Sequence, residues 1–210
     1  MAKVFAQISM SLDGYVAGPN DGPEHPLGEN GESLHEWVTA LSSWRRQHGL
    51  EGGSVNAESD MLDDYIAGVG ATILGRRMFD LGEPHWGENP PFHTPVFVVT
   101  HRPQPPLTRQ GGTTFHFVTD GITSALEQAG AAAGGQNISV AGGASVINQC
   151  IAAGLLDELH LHIVPVLLGG GARLFEGLAP KLDGIEKTRQ LDAPGLTHLT
   201  FSFTPGATRP

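Results

Sequence analysis

The sequence contains little cysteine, few basic residues and no long apolar run, and each shortage excludes a class of protein. Cys150 is the only cysteine among 210 residues, so the chain can form neither an internal disulfide nor a multi-thiolate metal site. Lys and Arg number 12 against 22 for Asp and Glu, which gives a formal net charge of -10. This negative field repels nucleic acid and anionic membranes, so an anionic ligand must bind at a local basic patch.

The absence of a long apolar run also bears on where the protein acts. No stretch reaches the length of a membrane span, and residues 1–12 lack the apolar core and cleavage site of a signal peptide. We therefore expect a cytoplasmic protein that binds neither membranes nor nucleic acid. With 40% hydrophobic residues, the 210-residue chain can bury one substantial core, and we expect a single domain over residues 1–210.

Apolar runs of strand type alternate with stretches of helical spacing along the chain. The predicted strands cover residues 4–9, 71–74, 95–100, 113–118, 137–141 and 158–166, and the predicted helices cover 33–46, 59–67, 75–81, 122–129 and 144–153. The helix over 33–46 has the clearest pattern, because Ser33 and Glu36 form a capping box before its apolar face. Such alternation predicts an α/β fold with a mostly parallel sheet, whereas the alternating residues 197–204 are typical of an antiparallel edge strand.

Glycines, hydroxyls and cations follow three of the predicted strands. The three groups are Gly75, Arg76 and Arg77; Thr100, His101 and Arg102; and Ala141, Gly142, Gly143, Ala144 and Ser145. Ligands of parallel sheets bind beyond the carboxyl ends of the strands, where free helix amides and arginine side chains attract phosphate. Because the chain has only 12 basic residues, their concentration at these positions indicates a phosphate-binding site.

The residues around these glycines indicate which dinucleotide binds. The chain lacks the G-x-G-x-x-G spacing and the ribose-binding carboxylate of an ordinary Rossmann domain. Cations near the adenosine end favour NADPH over NADH, because the additional 2′-phosphate must be neutralised. We therefore predict NADPH as the cofactor.

Three segments resemble the dihydrofolate-reductase-like superfamily: residues 10–18 (MSLDGYVAG), 74–79 (LGRRMF) and 141–144 (AGGA). The closest similarity is to its riboflavin-biosynthesis branch, the C-terminal reductase domain of bifunctional deaminase-reductases, and it extends through residues 157–159 and 165–169. The resemblance implies a three-layer fold with helices on both faces of the sheet and antiparallel C-terminal strands. It also implies NADPH at the turns after residues 74 and 141, a loop after the first strand that closes over the site, and a homodimer.

The chain departs from the riboflavin-pathway pattern at two positions and carries one insertion. Gln7 and Tyr15 occupy positions where members of that pathway generally have basic residues, which argues against a ribose-phosphate substrate. The insertion covers about residues 19–57 and includes the helix predicted over 33–46. The resemblance thus implies a reductase of a small pterin-like or pyrimidine-like heterocycle, with Ser11 and Asp13 close to the substrate.

Hydride transfer to a C=N or C=O bond also requires a proton source. Dihydrofolate reductases use an acidic residue early in the helix before the second strand, and their spacing places Ser59 there, between Glu58 and Asp60. We favour Glu58 as the proton donor and Asp13 for loop ordering or substrate contact, although Asp-Gly is also an ordinary turn pair. Acidic residues near the start of a helix can also simply stabilise its dipole.

An aromatic segment between the second and third main strands is a candidate substrate mouth. Trp86 and Phe92, in the sequence WGENPPFH, could stack on a flat heterocycle, or they could pack inward from a proline-stiffened loop. The pattern alone does not separate these two arrangements.

Two other functions are compatible with parts of the sequence. His160 and His162 project from one face of a strand and could bind a metal with a third ligand at His85, His93 or His116, as in a metal-dependent hydrolase. Alternatively, these two histidines could lie near a subunit contact of the homodimer. The chain could also be a nucleotide-binding protein that has lost catalysis, since cofactor motifs can persist without it.

Overall fold

A nine-stranded sheet forms the centre of the protein in the computed structural model, which describes residues 2–178 and 184–204. The strands are β1 (Val4–Ser11), β2 (Tyr15–Ala17), β3 (Val69–Gly75), β4 (Pro95–Val99), β5 (Leu107–Thr108), β6 (Thr114–Val118), β7 (Asn137–Gly142), β8 (Glu158–Val164), β9 (Ala172–Arg173), β10 (Ile185–Ala193) and β11 (Leu196–Phe203). The helices are α1 (Glu36–Thr39), α2 (Ser42–Gln47), α3 (Ala57–Ala67), α4 (Arg76–Trp86), α5 (Gly121–Ala132) and α6 (Ala144–Ala152). Strands β2 and β9 pair separately.

The strand order in the main sheet is β10-β11-β8-β1-β7-β3-β4-β6-β5. The six strands from β8 to β6 run parallel to one another, whereas β11 is antiparallel to β8, β10 to β11 and β5 to β6. This arrangement confirms the predicted α/β fold, with a mostly parallel sheet and antiparallel C-terminal strands. Its consequence is that the carboxyl ends of β1, β3, β4 and β7 meet along one edge. The prediction of an edge strand over residues 197–204 is wrong, because β10 pairs with the outer side of β11.

Helices cover both faces of this sheet. Successive strand residues point to opposite faces, so Ile73 and Leu74 of β3 mark the two sides. Ile73 belongs to a core cluster with Ala125 of α5 and Ile147 of α6, whereas Leu74 packs in a second cluster with Phe79 of α4. Helix α3 lies on the α4 side, where Tyr65 contacts Phe5 of β1. The three layers predicted by the resemblance are therefore present.

The prediction of one continuous helix over residues 33–46 is wrong. A 3-10 helix over Gly31–Leu34 is followed by the two short helices α1 and α2, and no side chain caps any of the three N-termini. The break occurs at Leu41, whose backbone is extended with φ of -79° and ψ of 143°. Ser54 bonds to the backbone on either side of Leu41, accepting from Ser42 N and donating to Ala40 O, and Leu41 itself is buried. Tertiary pairing thus replaces the helical hydrogen bonds that the spacing predicts.

The other predicted elements are present with changed bounds, and four strands were not predicted. Helix α3 begins at Ala57 because the Asn56 side chain accepts from the amides of Glu58 and Ser59. The unpredicted strands are β2, β5, β9 and β10. The longest of these, β10, has mostly exposed residues and lies at the sheet edge, so it shows no apolar run to detect. No helix among the described residues is long and apolar enough to cross a membrane.

Candidate functional site

A cleft of about 960 Å³ opens at the edge where the parallel strands end. This volume lies near the upper end of the range for small-molecule and cofactor sites, roughly 300 to 1,000 Å³. One part of the cleft is lined by the three strand exits that the sequence singled out: Gly75, Arg76, Arg77, Thr100, His101, Arg102, Ala141, Gly143, Ala144 and Ser145. These predicted cofactor residues are therefore brought together in one cleft.

Two helices begin at the wall of this cleft without a side-chain cap. Gly75 precedes α4 and Gly143 precedes α6, and neither helix N-terminus has a side-chain hydrogen bond. The free amides and the positive ends of the two helix dipoles face the same space, which suits an anion. A Cβ built on Gly143 would meet no atom within 4 Å, so the backbone there borders open space.

Gly142 contributes differently, because it does not line the cleft. Its φ of 125° lies in a region that side-chain-bearing residues rarely adopt. Glycine at this position allows β7 to turn into α6 and so to present the amides that follow.

Three arginines line the part of the cleft at the strand ends, and two carboxylates hold them. Arg76 Nε lies 2.7 Å from Asp80 Oδ1, and Arg102 Nη2 lies 2.5 Å from Asp80 Oδ2. Arg77 makes a two-pronged contact with Asp21 at 2.5 and 2.6 Å, and this contact lowers the pKa of Asp21. Because Arg76 and Arg102 share one carboxylate, their cluster retains a net positive charge and can attract a phosphate.

Asp80 and Thr100 position this cationic cluster. Hydrogen bonds and charge from Arg76 and Arg102 outweigh the effect of burial and lower the pKa of Asp80. The Thr100 hydroxyl accepts from the amide of Arg102 at 3.0 Å and so stabilises the turn after β4. His101 and Arg102 are exposed at the rim.

The other part of the cleft is aromatic and contains few charges. Its lining includes Gln7, Ser9, His35, Trp37, Val38, Trp44, Leu62 and His162. Four of these residues (His35, Trp37, Val38 and Trp44) come from the insertion, which therefore forms a wall of the site. Gln7 lines the cleft at the position where riboflavin-pathway members generally have lysine, whereas the Tyr15 hydroxyl accepts from Arg173 outside it.

A row of polar side chains crosses three strands at the base of this part. Ser9 of β1 is paired with His162 of β8, and His162 is paired with His198 of β11. The imidazoles of His162 and His198 approach to 2.7 Å between their Nδ1 atoms. Trp37 packs against both imidazoles, at 4.7 and 4.9 Å between ring centroids, and its indole N–H donates to Ser9 Oγ. Sequence reasoning missed this row, although the spacing of His160 and His162 placed one of its members on a strand face.

Glu58, the favoured proton donor, lies at the outer end of this row. It does not line the cleft, and its Oε1 is 3.0 Å from His198 Nε2. Its neighbour Ser59 is buried and bonds to Ser42, and Asp60 is exposed. Glu58 is therefore connected to the cleft through His198 and His162.

Asp13 and Ser11 bond to each other and to a nearby loop. The Ser11 hydroxyl donates to Asp13 at 2.6 Å, and the amides of Leu168 and Gly169 donate to the same carboxylate. The Ser11 bond, with help from these amides, lowers the pKa of Asp13 to about 2. Neither residue lines the cleft, and the Asp13 carboxylate ties the turn after β1 to the loop at residues 168–169.

The two aromatic residues Trp86 and Phe92 differ in whether they line the cleft. Trp86 lines the cleft, whereas Phe92 packs edge-on against Trp86 and Phe115. The arrangement matches inward packing for Phe92 and leaves Trp86 as part of the wall.

His160 is separated from the row although it shares a strand face with His162. Tyr65 OH lies 2.6 Å from its Nδ1, and Glu158 lies 3.2 Å from its Nε2. The chain's own residues cover both histidines, which are 6% and 2% exposed, so neither side chain is left open for a subunit contact. Over residues 2–178 and 184–204, no group of three or more His, Cys, Asp or Glu could hold a metal ion.

Sequence comparisons relate the chain to known proteins. The sequence model of the RibD C-terminal domain matches residues 2–195. A relative from Bacillus subtilis (strain 168), described as uncharacterized protein YyaP, is 30% identical over 188 residues, covering 82% of this chain and 80% of the relative.

Solved structures resemble the fold over almost the whole chain. A Shewanella sp. PV-4 protein provisionally assigned to riboflavin biosynthesis has a TM-score of 0.68 at 20% identity, covering 96% of this chain and 99% of its own. The Thermotoga maritima diaminohydroxyphosphoribosylaminopyrimidine deaminase/5-amino-6-(5-phosphoribosylamino)uracil reductase has a TM-score of 0.61 at 10% identity, covering 97% of this chain and 57% of its own. Dihydrofolate reductase from Enterococcus faecalis, complexed with NADP(H), has a TM-score of 0.52 at 13% identity, with 95% of each chain covered.

Proposed function

The chain belongs to the RibD C-terminal domain family, and we propose that it is an NADPH-dependent reductase of a small, flat heterocycle of pterin or pyrimidine type. One observation carries the proposal: a single cleft joins an anion-binding part at the strand ends to an aromatic part with polar groups at its base. The first part suits a dinucleotide, and the second suits a planar ring with hydrogen-bonding edges. The reductases and the NADP(H) complex among the structural neighbours support this assignment.

The residues at the strand ends fit the phosphates of NADPH. The uncapped starts of α4 and α6 offer backbone amides, and Gly143 leaves open space beside them. Arg76 and Arg102 offer the net positive charge that a 2′-phosphate requires. NADPH would supply a hydride there, and the chain's own residues would bind and orient it.

The aromatic part of the cleft indicates what the substrate is. Trp37 and Trp44 can pack on a planar ring, while Gln7 and Ser9 can bond to its edges. The described lining of this part contains no lysine or arginine, since the three cleft arginines lie at the strand ends. A phosphate on the substrate would find no counter-ion there, so we propose a heterocycle without a ribose phosphate.

Trp37 and Trp44 have a second effect on a reaction in this cleft. Their rings, together with Val38 and Leu62, exclude water from the base of the cleft and strengthen electrostatic interactions there. Developing negative charge on a substrate nitrogen or oxygen would then depend on a proton from the protein. Ser9 and His162 are the polar groups at this base.

The experiment measures NADPH oxidation at 340 nm with a panel of dihydropterins, pterins, pyrimidines and quinone-like compounds, alongside calorimetry with NADPH alone. We expect NADPH binding and the oxidation of NADPH by at least one heterocycle. Tight NADPH binding without turnover of any compound would instead identify a non-catalytic nucleotide-binding protein. Failure to bind NADPH would overturn the proposal.

A further inference from the structure

Three side chains from three elements form a hydrogen-bonded chain that ends at the cleft. Glu58 of α3 contacts His198 of β11 at 3.0 Å, and His198 contacts His162 of β8 at 2.7 Å. His162 lines the cleft, whereas Glu58 lies on the far side of the row. The two contacts join residues that are 140 and 36 positions apart in the sequence. The tertiary fold therefore brings these three side chains together.

One ring nitrogen of His162, at the cleft end of the hydrogen-bonded series, makes no hydrogen bond. Nε2 of His162 is buried and has no hydrogen-bond partner. A buried polar nitrogen without a partner is costly, and ligand or water binding is a common reason for retaining one. His35 Nδ1 is the other partnerless buried atom among the described cleft residues, and it belongs to the insertion.

The exposed fraction increases along this hydrogen-bonded series, from His162 at the cleft to Glu58 at the other end. His162 is 2% and His198 is 4% exposed, whereas the Glu58 side chain is 12% exposed. The two imidazoles are therefore shielded from solvent, and Trp37 packs on both of them.

We propose that Glu58, His198 and His162 form a proton relay that stores a proton on His198, beside the Glu58 carboxylate, and delivers a proton from His162 Nε2 to the substrate. The identity of the acceptor rests on the reductase function proposed above. Under this proposal His162 is the catalytic residue, and Glu58 and His198 supply it.

The nitrogen-to-nitrogen contact defines two states of the relay. In the neutral state, His198 donates from Nε2 to the Glu58 carboxylate and accepts at Nδ1 from His162, so His162 Nε2 has no proton. Adding one proton makes His198 cationic beside the carboxylate. His198 then donates from Nδ1 to His162, and His162 carries its proton on Nε2.

The transfer step balances in atoms and electrons. As hydride adds to the carbon of a substrate C=N or C=O bond, the π electron pair moves to the nitrogen or oxygen. That atom bonds to the proton from His162 Nε2, and the Nδ1 proton of His198 passes to His162 Nδ1. The relay returns to its neutral state. After the product leaves, a proton from water in the cleft adds to His162 Nε2 as the Nδ1 proton of His162 passes back to His198, and this reloads the relay.

The surroundings of His162 disfavour its protonated, cationic form. Burial, followed by the neighbouring imidazoles of His198, His160 and His35, holds the pKa of His162 well below its ordinary value. The Glu58 carboxylate contacts His198 and so provides the counter-ion at the middle of the relay. His162 can therefore exchange one tautomer for the other without becoming an imidazolium.

The first test needs no substrate. Two-bond ¹⁵N–¹H spectra of histidine-labelled protein report which nitrogen of His162 is protonated at each pH. We expect His162 to change from the Nδ1–H to the Nε2–H tautomer as the pH falls, and Glu58→Gln to move this exchange to lower pH, because the counter-ion of the relay is lost. The relay is overturned if His162 keeps one tautomer at every pH, or if Glu58→Gln leaves the pH of the exchange unchanged.

The second test measures single-turnover NADPH oxidation with the heterocycle found in the panel. His162→Gln and Glu58→Gln should slow it by about a hundredfold or more, the scale expected for loss of a general acid, with NADPH affinity retained. His160→Gln is the matched control, because His160 lies on the same strand face but does not line the cleft, and it should change the rate only a few-fold. A loss on His35→Gln with full activity in His162→Gln would overturn the assignment.

The two tests separate failure of the relay from failure of the proposed function. A tautomer exchange that depends on Glu58, in a protein that reduces no compound, would support the relay and reject the reductase. Reduction that His162→Gln leaves intact would support the reductase and reject the relay. Glu58→Gln changes a partly exposed side chain, so it tests the relay even if a histidine variant fails to fold.

Discussion

The indole N–H of Trp37 donates to the Ser9 hydroxyl at 3.0 Å and so ties the insertion to the first strand. This bond fixes the ring of Trp37 over His162 and His198. The insertion is therefore a structural part of the cleft. Through Trp37 it also affects the ionisation of His162.

We expect Trp37→Ala to raise the pKa of His162 toward its ordinary value. Burial is the main cause of the low pKa, and removing the indole admits water to the imidazole. Trp37→Phe is the matched control, because it keeps a ring over His162 while removing the bond to Ser9, and it should lower the stability by about 1 kcal/mol. Histidine NMR titrations and denaturant unfolding measure the two effects. An unchanged pKa in Trp37→Ala would show that the indole does not control the burial of His162.

Gly143→Ala should weaken NADPH binding by about tenfold or more without lowering the melting temperature appreciably. The added Cβ meets no protein atom within 4 Å, so its methyl group projects into open space beside the α6 amides. Gly142→Ala is the contrasting variant, because φ of 125° strains any side-chain-bearing residue, and it should destabilise the fold by about 1–3 kcal/mol. Calorimetry and thermal unfolding distinguish the two variants, and unchanged NADPH affinity in Gly143→Ala would place the phosphates elsewhere.

Arg102→Gln should reduce NADPH affinity about tenfold and NADH affinity much less, because a charge-assisted bond to the 2′-phosphate exists only with NADPH. The wild-type protein should accordingly prefer NADPH. Arg46→Gln serves as the control, since Arg46 pairs with Asp63 and does not line the cleft. Calorimetry with both cofactors provides the comparison. Equal affinities for NADPH and NADH in the wild type would contradict this assignment of the arginine cluster.

Asp13→Asn should lower the melting temperature at pH 7 and lower it less at pH 3. The folded protein depresses the pKa of Asp13 from 3.8 to about 2, so the carboxylate stabilises the fold above about pH 4. That contribution is lost as the pH falls toward 2, because both folded and unfolded chains then bind the proton. Thermal unfolding of both proteins at the two pH values checks the sign. A difference of equal size at both would exclude Asp13 as its source.

Light scattering at micromolar concentration should give twice the mass of one chain. The basis is family resemblance together with the position of β10, which lies at one edge of the sheet and pairs with β11 alone among the described strands. An edge strand of this length needs a cover or protective charges. The exposed Lys187 and Arg189 of β10 are such charges, so a mass of one chain would indicate that they protect the edge without a partner.

Much of the fold and one part of the cleft could be predicted from the sequence alone. Apolar runs and helical spacings are local, so they identified most strands and helices. The carboxyl ends of parallel strands meet at one edge, which brought Arg76, Arg102 and Gly143 to one cleft from three separate segments. The RibD C-terminal family match agrees with the resemblance found in the motifs.

Only the tertiary structure decided the other part of the cleft. Ser9, His162 and His198 form a row because β1, β8 and β11 pair in one particular register, and periodicity within a strand does not specify its neighbour. Leu41 leaves its helix for a pairing with Ser54, and that break leads into the wall that Trp37 and Trp44 form. Glu58 was identifiable as an acid near the start of a helix, but its contact with His198 spans 140 residues. Local sequence determines which elements form, whereas the energy of packing them together determines which side chains meet.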